Sequence, residues 1–184
     1  MKEQWLEQGY NDFAKNGPTG LSINHMAREI GAARSSFYHY FAEIDFFVDE
    51  LLTRHLEIVK EYNLSGKQNC KNLIPDLYNL LAQYPIPLKF NHQLFRNRHI
   101  PKYNLIFLTT YESSAEAFLL DLFDEYLDLN LPRKNLNHLF LTLVESWYSR
   151  LDPQDLSAAA IQSHAEDILN EISFLTRSRL FTSI

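Results

Sequence analysis

The five glycines of this 184-residue chain, Gly9, Gly17, Gly20, Gly31 and Gly66, all lie at or before position 66. Everything beyond must turn without glycine, which favours helices joined at prolines over strands joined by tight hairpins. Pro75, Pro85, Pro87, Pro101, Pro132 and Pro153 punctuate that remainder, and proline is tolerated in the first turn of a helix or just past its end. Apolar residues between the prolines recur with a helical period, as in Leu73, Leu77, Leu80 and Leu81 or Leu136, Phe140, Leu143, Val144 and Trp147. Alternating strand patterns are scarce, and no repeat or low-complexity tract occurs. The expected fold is all-α. Short helices fill residues 1–45, and longer ones follow over about 45–63, 72–83, 87–98, 102–129, 133–151 and 155–181.

The chain is 46% hydrophobic and 14% aromatic, ample for a core. Its formal net charge of −6 advertises no polyanion partner, so any DNA contact must come from a local patch. Cys70 is the single cysteine. It can form neither an internal disulfide nor a structural zinc site, which suits a reducing cytoplasm. Met1-Lys2-Glu3-Gln4 leads straight into an amphipathic pattern, so no secretory signal is expected. The strongest apolar runs, Leu105 to Leu108 and Ala117 to Leu120, are far shorter than the roughly 20 residues that span a bilayer. No membrane partner is expected.

In the first 45 residues, Trp5, Leu6, Gly9, Tyr10, Phe13 and Ala14 form one stripe, and Asn16-Gly17-Pro18 is expected to end that helix with a left-handed cap. Ser22 can cap a second helix whose buried face is Ile23, Met26, Ala27 and Ile30, until Gly31 turns the chain. A third helix must follow almost at once. In Arg34-Ser35-Ser36-Phe37-Tyr38-His39-Tyr40-Phe41, the two phenylalanines are four apart and face inward. Arg34, Ser35, Ser36, Tyr38 and His39 are left outside, and Tyr40 is divided between core and surface. Two short helices crossing at a glycine turn make a helix-turn-helix, whose second helix enters the major groove. Arg34 can donate twice to a guanine edge or a phosphate, the serines let the helix approach closely, and Tyr38 and His39 can bond phosphates.

Together these segments resemble the amino-terminal domain of TetR/AcrR transcriptional regulators at nearly every core and turn position. The resemblance implies that a DNA-binding domain spans residues 1–45 and that a helical effector-binding and dimerisation domain spans 46–184. It also implies that Ser22, Arg34, Ser35, Ser36, Tyr38, His39 and Tyr40 meet double-stranded operator DNA. Two positions depart from the family pattern. Ala33 stands where a serine usually caps the recognition helix, and Ile44 stands where a lysine usually touches phosphate. A third departure is electrostatic: Lys2, Lys15, Arg28 and Arg34 face Glu3, Glu7, Asp12, Glu29, Glu43 and Asp45, a net of −2. Weak nonspecific binding with a shallow salt slope is expected.

For the body, the resemblance implies a homodimer joined by the last two long helices. The sequence points the same way, with apolar faces at Leu136, Phe140, Leu143 and Trp147 and at Ala158, Ile161, Ala165, Ile168, Ile172 and Leu175. Both helices folding wholly onto their own subunit is the competing reading. A small-molecule effector is expected among the middle helices, near Tyr84, Phe90, Gln93, Phe107, Thr110, Tyr111, Glu112, Phe118, Trp147 and Tyr148, although each could be ordinary core. Residues 85–104 carry Lys89, Arg96, Arg98 and Lys102 without an acid. That cluster could bind an acidic effector, line a route to the DNA domain, or be a solvated helix end. His92 and His99, seven apart, would share a face only if no break intervened, and Pro101 suggests that the helix is ending there, so no metal is expected, and no cofactor either.

No nucleophile with a base, glycine-rich phosphate loop or paired carboxylates is apparent, so an enzyme is not expected. The resulting expectation is a bacterial homodimeric repressor released from its operator by an effector. The alternative is a dimeric ligand sensor or protein-interaction module whose DNA affinity has weakened.

Overall fold

The computed structural model describes residues 1–128 and 131–179, with side chains described as far as Glu171. Among the described residues it is helical without a strand. The helices are α1 (Lys2–Asn16), α2 (Ile23–Glu29), α3 (Arg34–Phe41), α4 (Ile44–Asn69), α5 (Tyr78–Leu81), α6 (Pro85–Arg96), α7 (Pro101–Ser114), α8 (Leu120–Leu127), α9 (Arg133–Arg150) and α10 (Ala158–Arg179).

Four of the expected helices differ. The one expected over 45–63 runs on to Asn69. In place of a helix over 72–83, only the single turn α5 is α-helical, because Ile74 precedes Pro75 and is forced extended (φ −121, ψ 127). The helix expected over 102–129 is interrupted by wider winding at Ala115–Leu119, which separates α7 from α8. The start of α10 also moves inward. Asp152 and Asp155 accept the amides of Gln154 and Ser157 at 2.8 and 3.1 Å, making turns that hold the chain out of helix before Ala158.

Contacts group the chain into two units, Met1–Ser65 with Tyr84–Ser114, and Gly66–Gln83 with the chain from Ala115 onward. In the first, α1 packs along α6 and also on α2 and α3. Its core holds Trp5, Phe13, Met26, Phe37, Phe47, Leu51, Phe90 and Leu94, all essentially inaccessible to solvent. The Phe90 ring stacks on Tyr10 and Phe13 at centroid separations of 4.4 and 4.3 Å, so it ties α6 to α1. Gly9 makes room for Phe47: a Cβ there would fall 2.1 Å from its ring. Gly17 ends α1 with positive φ as expected, but its ψ of −169 lies outside the left-handed helical region and in one that glycine alone enters readily.

In the second unit α9 packs against α8 and α10, and α5 lies on α10. Phe123 and Phe140 meet at 4.7 Å, and the Trp147 indole N–H donates to the Ile161 carbonyl at 2.8 Å. Close packing of Phe118 on Gly66 leaves no space for a side chain at that position.

Candidate nucleic-acid interface

The chain enters α2 at Ser22, whose exposed hydroxyl accepts the His25 amide at 3.3 Å, as a capping serine should. Met26 and Ala27 are buried, while Ile23 and Ile30 are half-buried. Gly31 (φ 64) turns the chain, and α3 begins at Arg34. Phe37 and Phe41 point inward: Phe37 meets the edge of Trp5 at 5.2 Å, and Phe41 meets Phe47 at 4.8 Å. These rings fix the buried face of α3. They leave Arg34, Ser35, Tyr38, His39 and Tyr40 exposed, with Ser36 half-buried.

One turn of α3 preorganises its main cation. An Arg34 guanidinium N–H donates to the Tyr38 hydroxyl at 3.0 Å, and the guanidinium carbon lies 5.6 Å from the ring centroid. Arg34 is thereby held beside an aromatic hydroxyl without being neutralised. Ala33 offers no side-chain cap. The Ser36 hydroxyl instead donates back to the Ala33 carbonyl at 2.8 Å and accepts the Trp5 indole N–H at 3.2 Å.

Much of the positive charge around α3 is already matched. Lys2 lies 2.7 Å from Glu50, Arg54 pairs with Glu3, and Arg28 sits 3.8 Å from Glu29. Ile44 and Phe46 are exposed at the start of α4. Lys102, from the basic cluster, reaches this region but lies 3.6 and 3.5 Å from Asp45 and Asp49. Arg98 is likewise engaged, 4.1 Å over the Phe95 ring and donating to the Phe95 carbonyl. His92 is buried and His99 exposed. Among the described residues no group of three or more His, Cys, Asp or Glu could hold a metal, and no helix is long and apolar enough to cross a membrane.

No protein-family model matches the sequence, and no curated protein does. Solved structures match nearly end to end. A putative transcriptional regulator from Saccharomonospora viridis, solved in complex with choline, superposes with a TM-score of 0.69 at 13% identity, covering 92% of this chain and 95% of its own. A TetR-family regulator from Streptomyces coelicolor gives 0.61 at 16% identity, covering 94% and 80%. A TetR/AcrR-type regulator from Aquifex aeolicus VF5 gives 0.58 at 15%, covering 95% and 98%. The fold is that of the TetR/AcrR regulators. These neighbours are described as regulators of transcription, not as enzymes.

Within the TetR/AcrR fold, the residues expected to meet an effector lie in different settings. In the first unit Phe90 and Phe107 are fully buried, and Gln93 reaches the Lys15 carbonyl at 3.5 Å. Thr110 donates towards the Asn91 side-chain oxygen and the Phe107 carbonyl at 3.0 and 2.8 Å. Tyr84 meets the edge of Tyr62 at 5.5 Å. Tyr111 is buried, and burial raises its hydroxyl pKa. Glu112 is exposed. In the second unit Phe118, Trp147 and Tyr148 are buried core.

The apolar faces assigned to dimerisation are covered by their own chain. Leu136, Phe140, Trp147, Ile161, Ala165 and Ile168 are all buried in the single chain, with the Trp147–Ile161 hydrogen bond joining α9 to α10. Leu143 and Ala158 are half-exposed, and the side chains of Ile172 and Leu175 lie outside those described.

A buried polar chain escaped the sequence reading. The Tyr10 hydroxyl lies 2.7 Å from His55 Nδ1, and His55 Nε2 lies 3.3 Å from the Asn91 oxygen that also receives Thr110. An amide oxygen only accepts, so Nε2 carries the ring proton and Nδ1 accepts from Tyr10. Burial pulls the His55 pKa down to about 4 and raises that of Tyr10. The chain links α1, α4, α6 and α7 inside the first unit. The available signal was a set of polar residues spread over four helices, which single-helix periodicity does not connect.

Proposed function

We propose that this chain is a TetR/AcrR-type transcriptional regulator that binds double-stranded operator DNA as a homodimer and represses until a small-molecule effector releases it. The observation that carries the reading is the surface of α3, where Arg34, braced on Tyr38, stands with Ser35, His39 and Tyr40 on a short helix anchored from beneath by Phe37 and Phe41. An unneutralised guanidinium on such a helix can donate twice to a guanine edge, and neighbouring hydroxyl and imidazole groups can take phosphates. Ser22, exposed at the start of α2, offers a further phosphate contact. Residues 1–45 are the reading portion in this proposal, and the rest of the chain senses and dimerises.

Two readers about 34 Å apart would address a palindrome. The half-exposed Leu143 and Ala158 remain available for the second copy, whereas the six buried residues of α9 and α10 serve their own chain. An effector acts by binding the released conformation more tightly than the DNA-bound one, with α4 carrying the displacement to α3. One described neighbour holds choline. A small organic ligand of that size is in keeping with the proposed sensing role, near Phe90, Gln93, Phe107, Thr110 and Tyr111.

Selection from a random duplex pool with the purified protein tests the proposal. Enrichment of a palindromic motif, bound by a dimer in light scattering, is the expected result. A monomer that enriches nothing would sink it. One observation favours a second reading, a protein-interaction module: Ile44 and Phe46 are exposed where a DNA reader would gain from a cation.

A further inference from the structure

The resemblance places Ser36 among the DNA contacts, yet its hydroxyl is committed within the protein. Its proton goes to the Ala33 carbonyl at 2.8 Å, and one lone pair takes the Trp5 indole N–H at 3.2 Å. A phosphate oxygen and a guanine edge both accept, so Ser36 could bond either only by surrendering the proton that Ala33 holds. The other half of the pair is equally constrained. Trp5 is fully buried on α1 with its ring against the edge of Phe37, and its indole nitrogen can only donate. Ser36 is 31 positions away in sequence, so this bond joins α1 directly to the first turn of α3. That turn lacks a side-chain cap, since Ala33 occupies the capping position.

We infer that Ser36 is a positioning residue: with the Trp5 indole it ties the first turn of α3 to α1 and sets the roll of α3, which aims Arg34, Ser35 and Tyr38 outward. The inference rests on the DNA-reading function proposed above. Phe37 and Phe41 alone hold α3 through apolar contact, which resists separation but permits rotation. The indole-to-hydroxyl-to-carbonyl relay is directional and removes that freedom.

The test uses the full chain, a duplex selected by the wild-type protein from a random pool, and a random duplex, each titrated over a salt series. Trp5→Phe keeps the ring and deletes the donor; Ser36→Ala deletes the hydroxyl; Ser36→Thr retains it. Trp5→Phe and Ser36→Ala should each weaken the selected duplex roughly tenfold, the loss of one net hydrogen bond. The double variant should be no weaker than either single one, with salt slope and random-duplex binding unchanged. Ser36→Thr should restore wild-type affinity. In Ser36→Ala the Trp5 indole proton should also lose its protection from hydrogen exchange, a readout that needs no DNA and carries the test if Trp5→Phe does not fold.

Multiplying effects in the double variant, or a salt slope lower by about one in Ser36→Ala, would assign Ser36 to DNA and overturn the inference. Unchanged indole protection would overturn it as well. If the wild-type protein selects no duplex, the DNA-reading proposal falls and takes this one with it. A selected duplex that Trp5→Phe binds as tightly as wild type overturns this one alone.

Discussion

The Tyr10 hydroxyl and His55 Nδ1 lie 2.7 Å apart in the interior of the first unit, joining α1 to α4 through a neutral imidazole that stacks 4.4 Å over Phe90. His55 has a folded-state pKa of about 4, below the ordinary 6.5, because burial disfavours the cation. The unfolded chain therefore binds the extra proton first as pH falls. The stabilisation is complete above about pH 6.5 and is lost progressively between there and about pH 4, on the order of 3 kcal/mol in all. His92, whose pKa is lowered by burial and by Arg96, adds in the same direction. Urea unfolding from pH 4 to 8 should show stability rising with pH over this window, and His55→Gln should flatten that rise.

Phe90 is stacked against Tyr10, Phe13 and His55, each within 4.4 Å between ring centroids. Phe90→Ala should cost about 3–5 kcal/mol, since rings on three sides cannot all collapse into the space. Denaturant unfolding measures it, and a cost below about 1 kcal/mol would show that the rings do collapse.

Arg34→Ala should weaken binding to a selected duplex by about 1–3 kcal/mol and relax its sequence preference. Arg34→Lys should not recover the loss, because an ammonium lacks the planar fork that both Tyr38 and a base edge address. Fluorescence anisotropy on matched and mismatched duplexes distinguishes the two effects.

Gly9→Ala places a methyl 2.1 Å from the Phe47 ring, which is fully buried between α1 and α3. A loss of about 1–3 kcal/mol from overpacking is expected. A thermal midpoint unchanged from wild type would contradict the close approach.

Trp147→Phe would delete the indole donor to the Ile161 carbonyl, which keeps its bond within α10, at a cost of about 0.5–1.5 kcal/mol. Because the lost bond lies within one chain, the mass in light scattering should stay as it is in the wild-type protein. A change of mass would return Trp147 to the subunit interface.

The reader was the most legible part of the sequence, since turn glycines and paired phenylalanines are local signals. Gly31 and the Phe37–Phe41 spacing place α2 and α3 to within a residue or so of their observed bounds. What is not legible depends on a distant partner. Periodicity at Leu136, Phe140 and Trp147 marks a buried face but not whose chain buries it. Ser36 carries nothing in its neighbourhood that announces Trp5, and Tyr10, His55, Asn91 and Thr110 are spread over four helices. The expected helix over 72–83 failed for a local reason that was visible, the restriction Pro75 places on Ile74.

The packing of α1 along α6 bears on how portable the reader is. Transplants that move residues 1–45 onto another body of this fold carry Tyr10 and Phe13 but leave Phe90 and Gln93 behind. Such a chimera exposes an aromatic surface that the donor chain had kept dry. A graft that brings α6 along, or one whose host supplies an aromatic at the matching place, keeps the seam closed. In this protein the natural cut for engineering follows the stacked rings, not the end of the motif.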